Sequence, residues 1–273
     1  MNVAIFTNNI RGYEISKYLL SKNFKIEIIV IAKKNLLKNT LKKILSLKKK
    51  YIITKNVNDK KIIKIIKERK IDIGIIAGFP YILKKGTYDC PRYSTINLHA
   101  GPLPGYRGGS PLNWQIINGE KKIGISIIKV NEKIDEGKIL AQKKFFLSKR
   151  QGINEAHTLA IKNFKKIILI AINNLIKKKF VHNSKTIPKY WPQRNKEDSK
   201  VNWLNNTNIE IINQIRASKY PYDAYFFIKK KKIKIISAKI YKSNKQVPAG
   251  TIIKNKKMII KCKKGFLEIT KKK

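Results

Sequence analysis

Short apolar runs alternate with segments of helical spacing through the first 80 residues of this 273-residue chain. Asn2–Thr7 and Lys25–Ala32 are dominated by apolar, mostly β-branched residues, whereas Gly12–Lys22 between them carries its apolar residues three to four positions apart. The alternation continues with strands predicted at Tyr51–Thr54 and Ile71–Ala77. This order predicts a doubly wound, Rossmann-like α/β fold with a mostly parallel sheet. No glycine-rich dinucleotide fingerprint follows the first strand, which argues against a nicotinamide cofactor.

The pattern changes beyond residue 180. Residues 151–179 predict one long helix, and the polar, proline-containing stretch that follows is typical of a junction. One further helix then precedes several short strands, which indicates a small β-rich, OB-like domain. We therefore predict an α/β domain at residues 1–180, a junction at 181–203 and a small domain at 204–273.

The net charge is +46, from 62 Lys and Arg against 16 Asp and Glu. Such a charge attracts polyanions such as nucleic acid. The lysines are spread along the whole chain and accompany abundant Ile and Asn, which share A/T-rich codons, so the composition favours a genomic bias. The two cysteines are far apart and form no zinc pattern, which predicts a reduced, cytoplasmic protein without a bound metal. The longest apolar stretch is shorter than the roughly 20 residues of a membrane span, so we expect no membrane association.

Asn97 and His99 lie two positions apart on the predicted strand Thr95–His99, directly before a loop rich in glycine and proline. Residues i and i+2 of a strand project to the same side, and Asp135, beyond the next predicted strand, could reach the imidazole. An Asp partner fixes the tautomer of a histidine, and an Asn amide can stabilise an oxyanion. The trio suits acyl transfer without a covalent intermediate. The alternative, that His99 is a core histidine beside an ordinary loop, stays open.

The segment around these residues resembles the formyltransferases that use 10-formyltetrahydrofolate. Those enzymes carry an Asn-x-His pair, a Leu-Pro-x-Tyr/Trp-Arg-Gly loop and an Asp-x-Gly-x-Ile element. The matching positions here are Asn97 with His99, Leu103–Gly108 and Asp135–Ile139. Ala77–Ile82 is similar to the folate-binding loop of the family, and the likeness extends over nearly the whole chain. Glu136 departs from the pattern, because Thr or Ala is usual at that position.

The resemblance implies transfer of a formyl group from 10-formyltetrahydrofolate to a primary amine, with no metal. His99 would be the general base, Asn97 would polarise the formyl carbonyl, and Asp135 would complete the catalytic set. The residues implied for folate binding are Gly78, Phe79, Pro80, Tyr81, Ile82, Ile134 and Asp135. The candidates for binding the acceptor are Asn8, Arg11, Tyr106, Arg107, Gly108 and Trp114. For two of these candidates an alternative to acceptor binding stays open. Arg107 could pair with a carboxylate and brace its loop, and Trp114 could pack in the core.

Two acceptors compete within the family. A nucleotide-linked amino sugar, as in lipopolysaccharide biosynthesis, is favoured because Asn8–Arg11 stands where the tRNA enzymes typically have Gly-Thr-Pro. The segments Gly109–Trp114 and Tyr190–Arg194 also look like those of sugar N-formyltransferases. Initiator methionyl-tRNA is the alternative, and the charge is its best argument. A third hypothesis is a nonenzymatic RNA-binding protein. It predicts that the catalytic residues are lost, whereas all three are present. The sequence leaves the oligomeric state, including a homodimer, open.

Overall fold

The computed structural model describes residues 1–181, 186–219, 222–254 and 257–271. The chain divides into two compact units, each assembled from separated stretches. Unit 1 comprises Met1–Arg107, Gly124–Phe145 and Leu159–Tyr190. Unit 2 comprises Gly108–Ile123, Phe146–Thr158 and Trp191–Lys273. Because neither unit is continuous in sequence, the predicted ranges 1–180, 181–203 and 204–273 are not tested by this division and stay a prediction.

The main sheet has seven strands in the order β3-β2-β1-β4-β5-β7-β8. Their bounds are β1 Asn2–Thr7, β2 Lys25–Ala32, β3 Tyr51–Thr54, β4 Ile73–Ile76, β5 Thr95–His99, β7 Lys122–Lys129 and β8 Ile139–Phe146. A two-residue strand, β6 Arg107–Gly108, lies between β5 and β7 in the chain. The strands from β3 to β5 pair in parallel. This confirms the Rossmann-like, mostly parallel sheet predicted from the sequence.

Helices connect the parallel strands. Their bounds are α1 Ile10–Leu20, α2 Lys38–Leu45, α3 Lys60–Glu68 and α4 Lys85–Tyr88. Beyond β5 follow α5 Pro111–Ile117 and the long helix α6 Ile153–Ile176. The amphipathic spacing places Ile62 and Ile66 of α3 in a core cluster with Phe6, Val30 and other strand residues. None of the helices in the described stretches combines the length and the apolar character that a membrane crossing requires.

Strand β7 reverses direction relative to its neighbour β5. It pairs antiparallel, with Asn97 opposite Ile128 and His99 opposite Ser126. The end of β7 therefore lies beside the start of β5, where the Val130 N–H donates to the Thr95 carbonyl at 2.8 Å. A residue that follows β7 can approach the end of β5 only if its loop turns back along that strand.

Unit 2 contains a five-stranded antiparallel sheet in the order β10-β11-β14-β13-β12, which confirms a small β-rich domain. After the short strand β9 Tyr190–Trp191 and a 3₁₀ helix at Glu197–Ser199 come α7 Asn208–Ala217, β10 Tyr225–Ile228, β11 Lys231–Tyr241, β12 Ile252–Lys254, β13 Ile259–Lys261 and β14 Phe266–Lys271. A capping box starts α7, in which the Glu210 N–H donates to the Thr207 hydroxyl and the Thr207 N–H donates to the Glu210 carboxylate. Its apolar side packs Ile211 and Ile215 against strand residues such as Phe226.

Candidate active site

Strand β5 places two polar side chains near its carboxyl end. Asn97 and His99 project to one side of the strand, between β4 and β7. The alternate residues Ile96 and Leu98 are buried apolar residues that fill the other side. His99 is also buried, with 6% of its side chain exposed. A buried polar ring at a strand end requires hydrogen-bonding partners, and the structure supplies one for each ring nitrogen.

Asp135 contacts both side chains at once. Its Oδ2 lies 3.3 Å from His99 Nδ1, and Asn97 Nδ2 donates to its Oδ1 at 3.3 Å. The carboxylate reaches them because the loop after β7 turns back, closed by a bond from the Lys129 N–H to the Lys138 carbonyl at 3.0 Å. Asp135 itself has a φ of +54°, a left-handed conformation that Asp tolerates better than most residues. The structure thus brings the three predicted catalytic residues together, although Asp135 arrives from an antiparallel strand.

The second nitrogen of His99 faces a backbone carbonyl. Nε2 lies 2.5 Å from the Tyr106 oxygen. A carbonyl oxygen can only accept, so this contact suits a proton on Nε2. Gly101 makes the approach possible, because a Cβ at this position would lie 2.7 Å from the Tyr106 oxygen and 2.9 Å from His99 Nε2. The imidazole is therefore held between a carboxylate on one side and a carbonyl on the other.

Two polar residues of the sheet hold the loop that precedes Tyr106. Ser126 Oγ donates to the Gly101 carbonyl at 2.8 Å and accepts from the Leu103 N–H at 3.0 Å. Gln142 Nε2 donates to the Leu103 carbonyl at 2.8 Å. The Leu103–Pro104 peptide bond is cis. Neither Ser126 nor Gln142 was predicted as a site residue. A hydroxyl within the otherwise apolar strand β7 does indicate that Ser126 has a polar partner.

Arg107 pairs with Glu136, the residue after Asp135. Arg107 Nη1 lies 3.1 Å from Glu136 Oε1, and the two side chains are 22% and 37% exposed. The Arg107 N–H also donates to the Lys189 carbonyl at 3.0 Å. The open alternative in which a carboxylate holds Arg107 is therefore the arrangement that the structure shows, and Glu136 is that carboxylate.

The predicted folate loop follows β4 directly. The Gly78 carbonyl accepts from the Asn8 N–H at 3.1 Å and from Asn9 Nδ2 at 3.2 Å. Phe79 packs edge-on against Tyr81, with ring centroids 5.5 Å apart. Pro80 lies between these rings in the chain and is exposed. The loop is thus held by its own rings and by the residues that follow β1.

Two apolar side chains flank this region in exposed positions. Ile82 is 65% exposed and Ile134, the residue before Asp135, is 49% exposed. Exposed branched side chains offer the apolar surface that a flat heterocycle needs. In their chemistry, the residues predicted to bind folate are compatible with such a ligand.

Two of the predicted acceptor residues, Asn8 and Arg11, follow strand β1. Asn8 Nδ2 donates to the Lys34 carbonyl at 2.8 Å. Arg11 Nη1 donates to the Leu98 carbonyl, between Asn97 and His99, at 3.0 Å, and its guanidinium lies over the Phe164 ring at 5.3 Å. Burial lowers the pKa of Arg11 to about 10, which still leaves a cation at neutral pH. Arg11 is thus a partly buried positive charge attached to the backbone of β5.

The remaining acceptor candidates, Gly108 and Trp114, belong to unit 2, whereas the trio belongs to unit 1. Trp114 stacks on Trp191 with ring centroids 5.2 Å apart, and its Nε1 donates to the Pro192 carbonyl at 2.8 Å. This contact pairs one aromatic residue of Gly109–Trp114 with one of Tyr190–Arg194. No group of three or more His, Cys, Asp and Glu side chains among the described residues is arranged to hold a metal ion.

Replacing Gly137 with Ala is expected to displace the loop that carries Asp135. An added Cβ would lie 1.7 Å from the Lys129 carbonyl oxygen, so the backbone must move. We expect kcat to fall by about tenfold or more, since small displacements of catalytic groups are costly. Gly86→Ala is the matched control, because its Cβ would meet nothing closer than 3.7 Å. Equal kcat values for the two variants would show that the loop tolerates the displacement.

Family models match both parts of the chain. The formyl transferase model matches residues 2–172, and the model of the formyl transferase C-terminal domain matches residues 194–273. The first of these covers more than half of the chain and includes the whole of the Asn97, His99 and Asp135 trio. The second begins within the segment that was predicted as a junction.

Named relatives show the same relationship. A methionyl-tRNA formyltransferase from Thermodesulfovibrio yellowstonii is 34% identical over 219 residues, which are 78% of this chain and 69% of that protein. The bifunctional polymyxin resistance protein ArnA from Wigglesworthia glossinidia brevipalpis is 30% identical over 278 residues, 98% of this chain and 42% of ArnA. The N-formyltransferase from Helicobacter canadensis, solved with folinic acid and dTDP-3-aminofucose, superimposes with a TM-score of 0.72 at 21% identity, over 99% of both chains. The chain belongs to the formyl transferase family, whose members are enzymes that transfer formyl groups.

Proposed function

We propose that the chain transfers a formyl group from 10-formyltetrahydrofolate to the primary amine of a nucleotide-linked amino sugar. One observation carries the proposal: the Asn97 amide and the His99 imidazole share the Asp135 carboxylate, each at 3.3 Å. The arrangement unites a donor for a developing oxyanion with a base whose orientation is held by a carboxylate. A cytoplasmic location and catalysis by residues 1–180 are part of the same proposal.

Each of the three residues has one task in the reaction. 10-Formyltetrahydrofolate supplies the formyl carbon, whose bond to the folate nitrogen breaks as its bond to the acceptor nitrogen forms. Asn97 Nδ2 donates to the formyl oxygen and stabilises the negative charge that develops there. His99 takes the proton that the acceptor amine loses and can pass it to the departing nitrogen. Asp135 holds a proton on Nδ1, which leaves the lone pair on Nε2 for that transfer.

We place the acceptor amine at the contact between His99 and Tyr106. Nε2 faces the Tyr106 carbonyl, an oxygen that can only accept a hydrogen bond. An incoming amine must reach the same nitrogen. It can donate one N–H to the Tyr106 oxygen while it gives its proton to Nε2. The carbonyl would then select an acceptor that retains a second N–H, which a primary amine does.

The folate would lie against the loop that follows β4. Gly78, Phe79, Pro80, Tyr81 and Ile82 would present backbone groups and apolar surface to the heterocycle. Ile134 would contribute from the opposite loop, next to Asp135. This placement would bring the formyl carbon beside Asn97 and His99.

An amino sugar on a nucleotide carrier is a diphosphate, and this region contains two arginines that can bind one. Arg11 is a partly buried cation, and Arg107 is the second, although Glu136 contacts it here. The Helicobacter canadensis structure contains a nucleotide-linked amino sugar, and the present chain matches it over its whole length.

Methionyl-tRNA is the second candidate, and two observations favour it. The Thermodesulfovibrio yellowstonii relative bears the name of a tRNA enzyme at 34% identity. The net charge of +46 would favour any polyanionic acceptor, because phosphate contacts dominate the affinity for nucleic acids. We still favour the amino sugar, because the lysines are spread along the whole chain and a genomic bias explains their number.

The choice between the acceptors is open to a direct test. Purified protein would receive 10-formyltetrahydrofolate with either a panel of UDP- and dTDP-linked amino sugars or initiator methionyl-tRNA, at two salt concentrations. We expect turnover with a sugar nucleotide, and this turnover should depend only weakly on the salt concentration. Turnover with tRNA alone, falling steeply as salt rises, would replace the amino sugar by the tRNA. Turnover with neither acceptor would contradict the proposed acceptors.

A further inference from the structure

Two pairs of consecutive residues surround the His99 ring. In each pair the first residue faces one ring nitrogen: the Tyr106 carbonyl faces Nε2, and the Asp135 carboxylate faces Nδ1. The second residues, Arg107 and Glu136, contact each other at 3.1 Å. One ion pair therefore joins the two loops that hold the imidazole from its two sides.

We propose that the Arg107–Glu136 ion pair is a positioning clamp that fixes the orientation of His99 for proton transfer. The proposal rests on the proposed role of His99 as the general base. Neither member of the clamp needs to touch the reacting atoms. It acts by keeping the Tyr106 and Asp135 segments at a fixed separation.

The contacts of Asp135 with His99 and Asn97 are long. Each lies at 3.3 Å, beyond the usual range of strong hydrogen bonds to a carboxylate. The loop adds a long bond from the Glu136 N–H to the Lys133 carbonyl at 3.4 Å. Asp135 has a left-handed backbone conformation, which is restrained only by its surroundings. The side chain of Glu136 adds a direct attachment of this loop to the segment that carries Tyr106.

The other end of the clamp is firmly held. The Arg107 backbone N–H is bonded to Lys189 at 3.0 Å, and the preceding loop is fixed to β7 through Ser126. Arg107 Nε is buried and has no hydrogen-bond partner in the described part of the chain. A buried, unsatisfied N–H is unfavourable, so the guanidinium depends on Glu136 to stay in this position. Loss of Glu136 would release both Arg107 and the Asp135 loop.

The clamp should affect the reaction more than the stability. Both side chains are partly exposed, and such pairs contribute little to folding. The geometry of a catalytic base, by contrast, affects the rate strongly, because small misplacements are costly. A kinetic effect without a comparable loss of thermal stability is therefore the expected signature.

The test compares four variants of the full chain. Glu136→Gln removes the charge and keeps the size, and Glu136→Asp keeps the charge. The double variant Arg107→Glu with Glu136→Arg restores an ion pair of reversed direction. The matched control is Glu68→Gln, which breaks the exposed Lys64–Glu68 pair on α3 and changes the net charge equally. Readouts are kcat, KM, Tm and the ¹⁵N signals of the three histidines, with His99→Ala assigning the His99 signals.

We expect Glu136→Gln to lower kcat on the order of tenfold, with a Tm close to that of Glu68→Gln and altered His99 signals. Glu136→Asp should recover part of the loss in kcat. The reversed pair should also recover part of kcat but with a higher KM, because it removes Arg107 from the proposed diphosphate site. An unchanged kcat in Glu136→Gln would overturn the proposed clamp. If KM fell while kcat stayed the same, Glu136 would only compete with the acceptor for Arg107, which would also overturn it. Failure of the proposed function would appear on a different variant, as retained turnover in His99→Ala.

Discussion

Replacing His99 with Ala is expected to lower kcat by about 10² to 10⁴-fold, the usual contribution of a general base. The imidazole lies between Asp135 at 3.3 Å and the Tyr106 carbonyl. The protein should still fold, because the change removes one side chain from a strand whose ladder stays intact. Steady-state formyl transfer with 10-formyltetrahydrofolate and the preferred acceptor measures the effect.

The controls separate lost chemistry from lost structure. His157→Ala changes an exposed helical histidine and should keep kcat within about twofold, since exposed substitutions are usually mild. Asp135→Asn keeps the size of the carboxylate and removes its charge, so it should also reduce kcat strongly. The circular dichroism spectrum should stay near wild type in both active-site variants, and binding of tetrahydrofolate should stay near wild type in His99→Ala. Wild-type turnover in His99→Ala would refute the catalytic assignment.

The sequence was a good guide to the fold where the apolar pattern was regular. Strands β1, β2 and β3 have the predicted bounds, because each is a short, mostly apolar run between polar residues. Strand β8 was not predicted, since Ile139–Phe146 interrupts its apolar residues with Gln142 and two lysines. The leucines and lysines of residues 34–50 predict one helix, but α2 covers only Lys38–Leu45. Lysine is compatible with a helix at all of these positions, so the lysines do not indicate where the helix begins or ends.

The candidate site was predictable in its residues and less so in its geometry. Spacing alone placed Asn97 and His99 on one side of β5. The approach of Asp135 depends on the reversal of β7, which the sequence pattern does not encode. The contact of the Tyr106 carbonyl with His99 was also out of reach, because it belongs to the backbone and requires the close approach at Gly101. Glu136 was recognised as unusual, but its pairing with Arg107 depends on two loops whose positions only the fold determines.

Replacing Arg194 with Ala is expected to destabilise unit 2 by about 3 kcal/mol or more. The guanidinium is buried and is the centre of a polar network. It donates to the carbonyl of Ala217 at 2.9 Å and to the hydroxyls of Ser199 and Ser218 at 2.8 and 3.0 Å. Burial lowers the pKa of Arg194, an effect opposed by Asp198, which shows that the charge is held at a desolvation cost. Removing it leaves these buried acceptors without their donor.

Tryptophan fluorescence during urea unfolding measures this effect selectively. All three tryptophans, Trp114, Trp191 and Trp203, belong to unit 2. The control is Arg150→Ala, which removes an equal charge from an exposed position of the same unit and should change stability by less than about 0.5 kcal/mol. Arg194→Lys should lose nearly as much as Arg194→Ala, because one ammonium cannot satisfy acceptors arranged for a planar fork. Equal midpoints for Arg194→Ala and Arg150→Ala would mean that the network contributes nothing to folding. The charge would then have to be retained for another purpose.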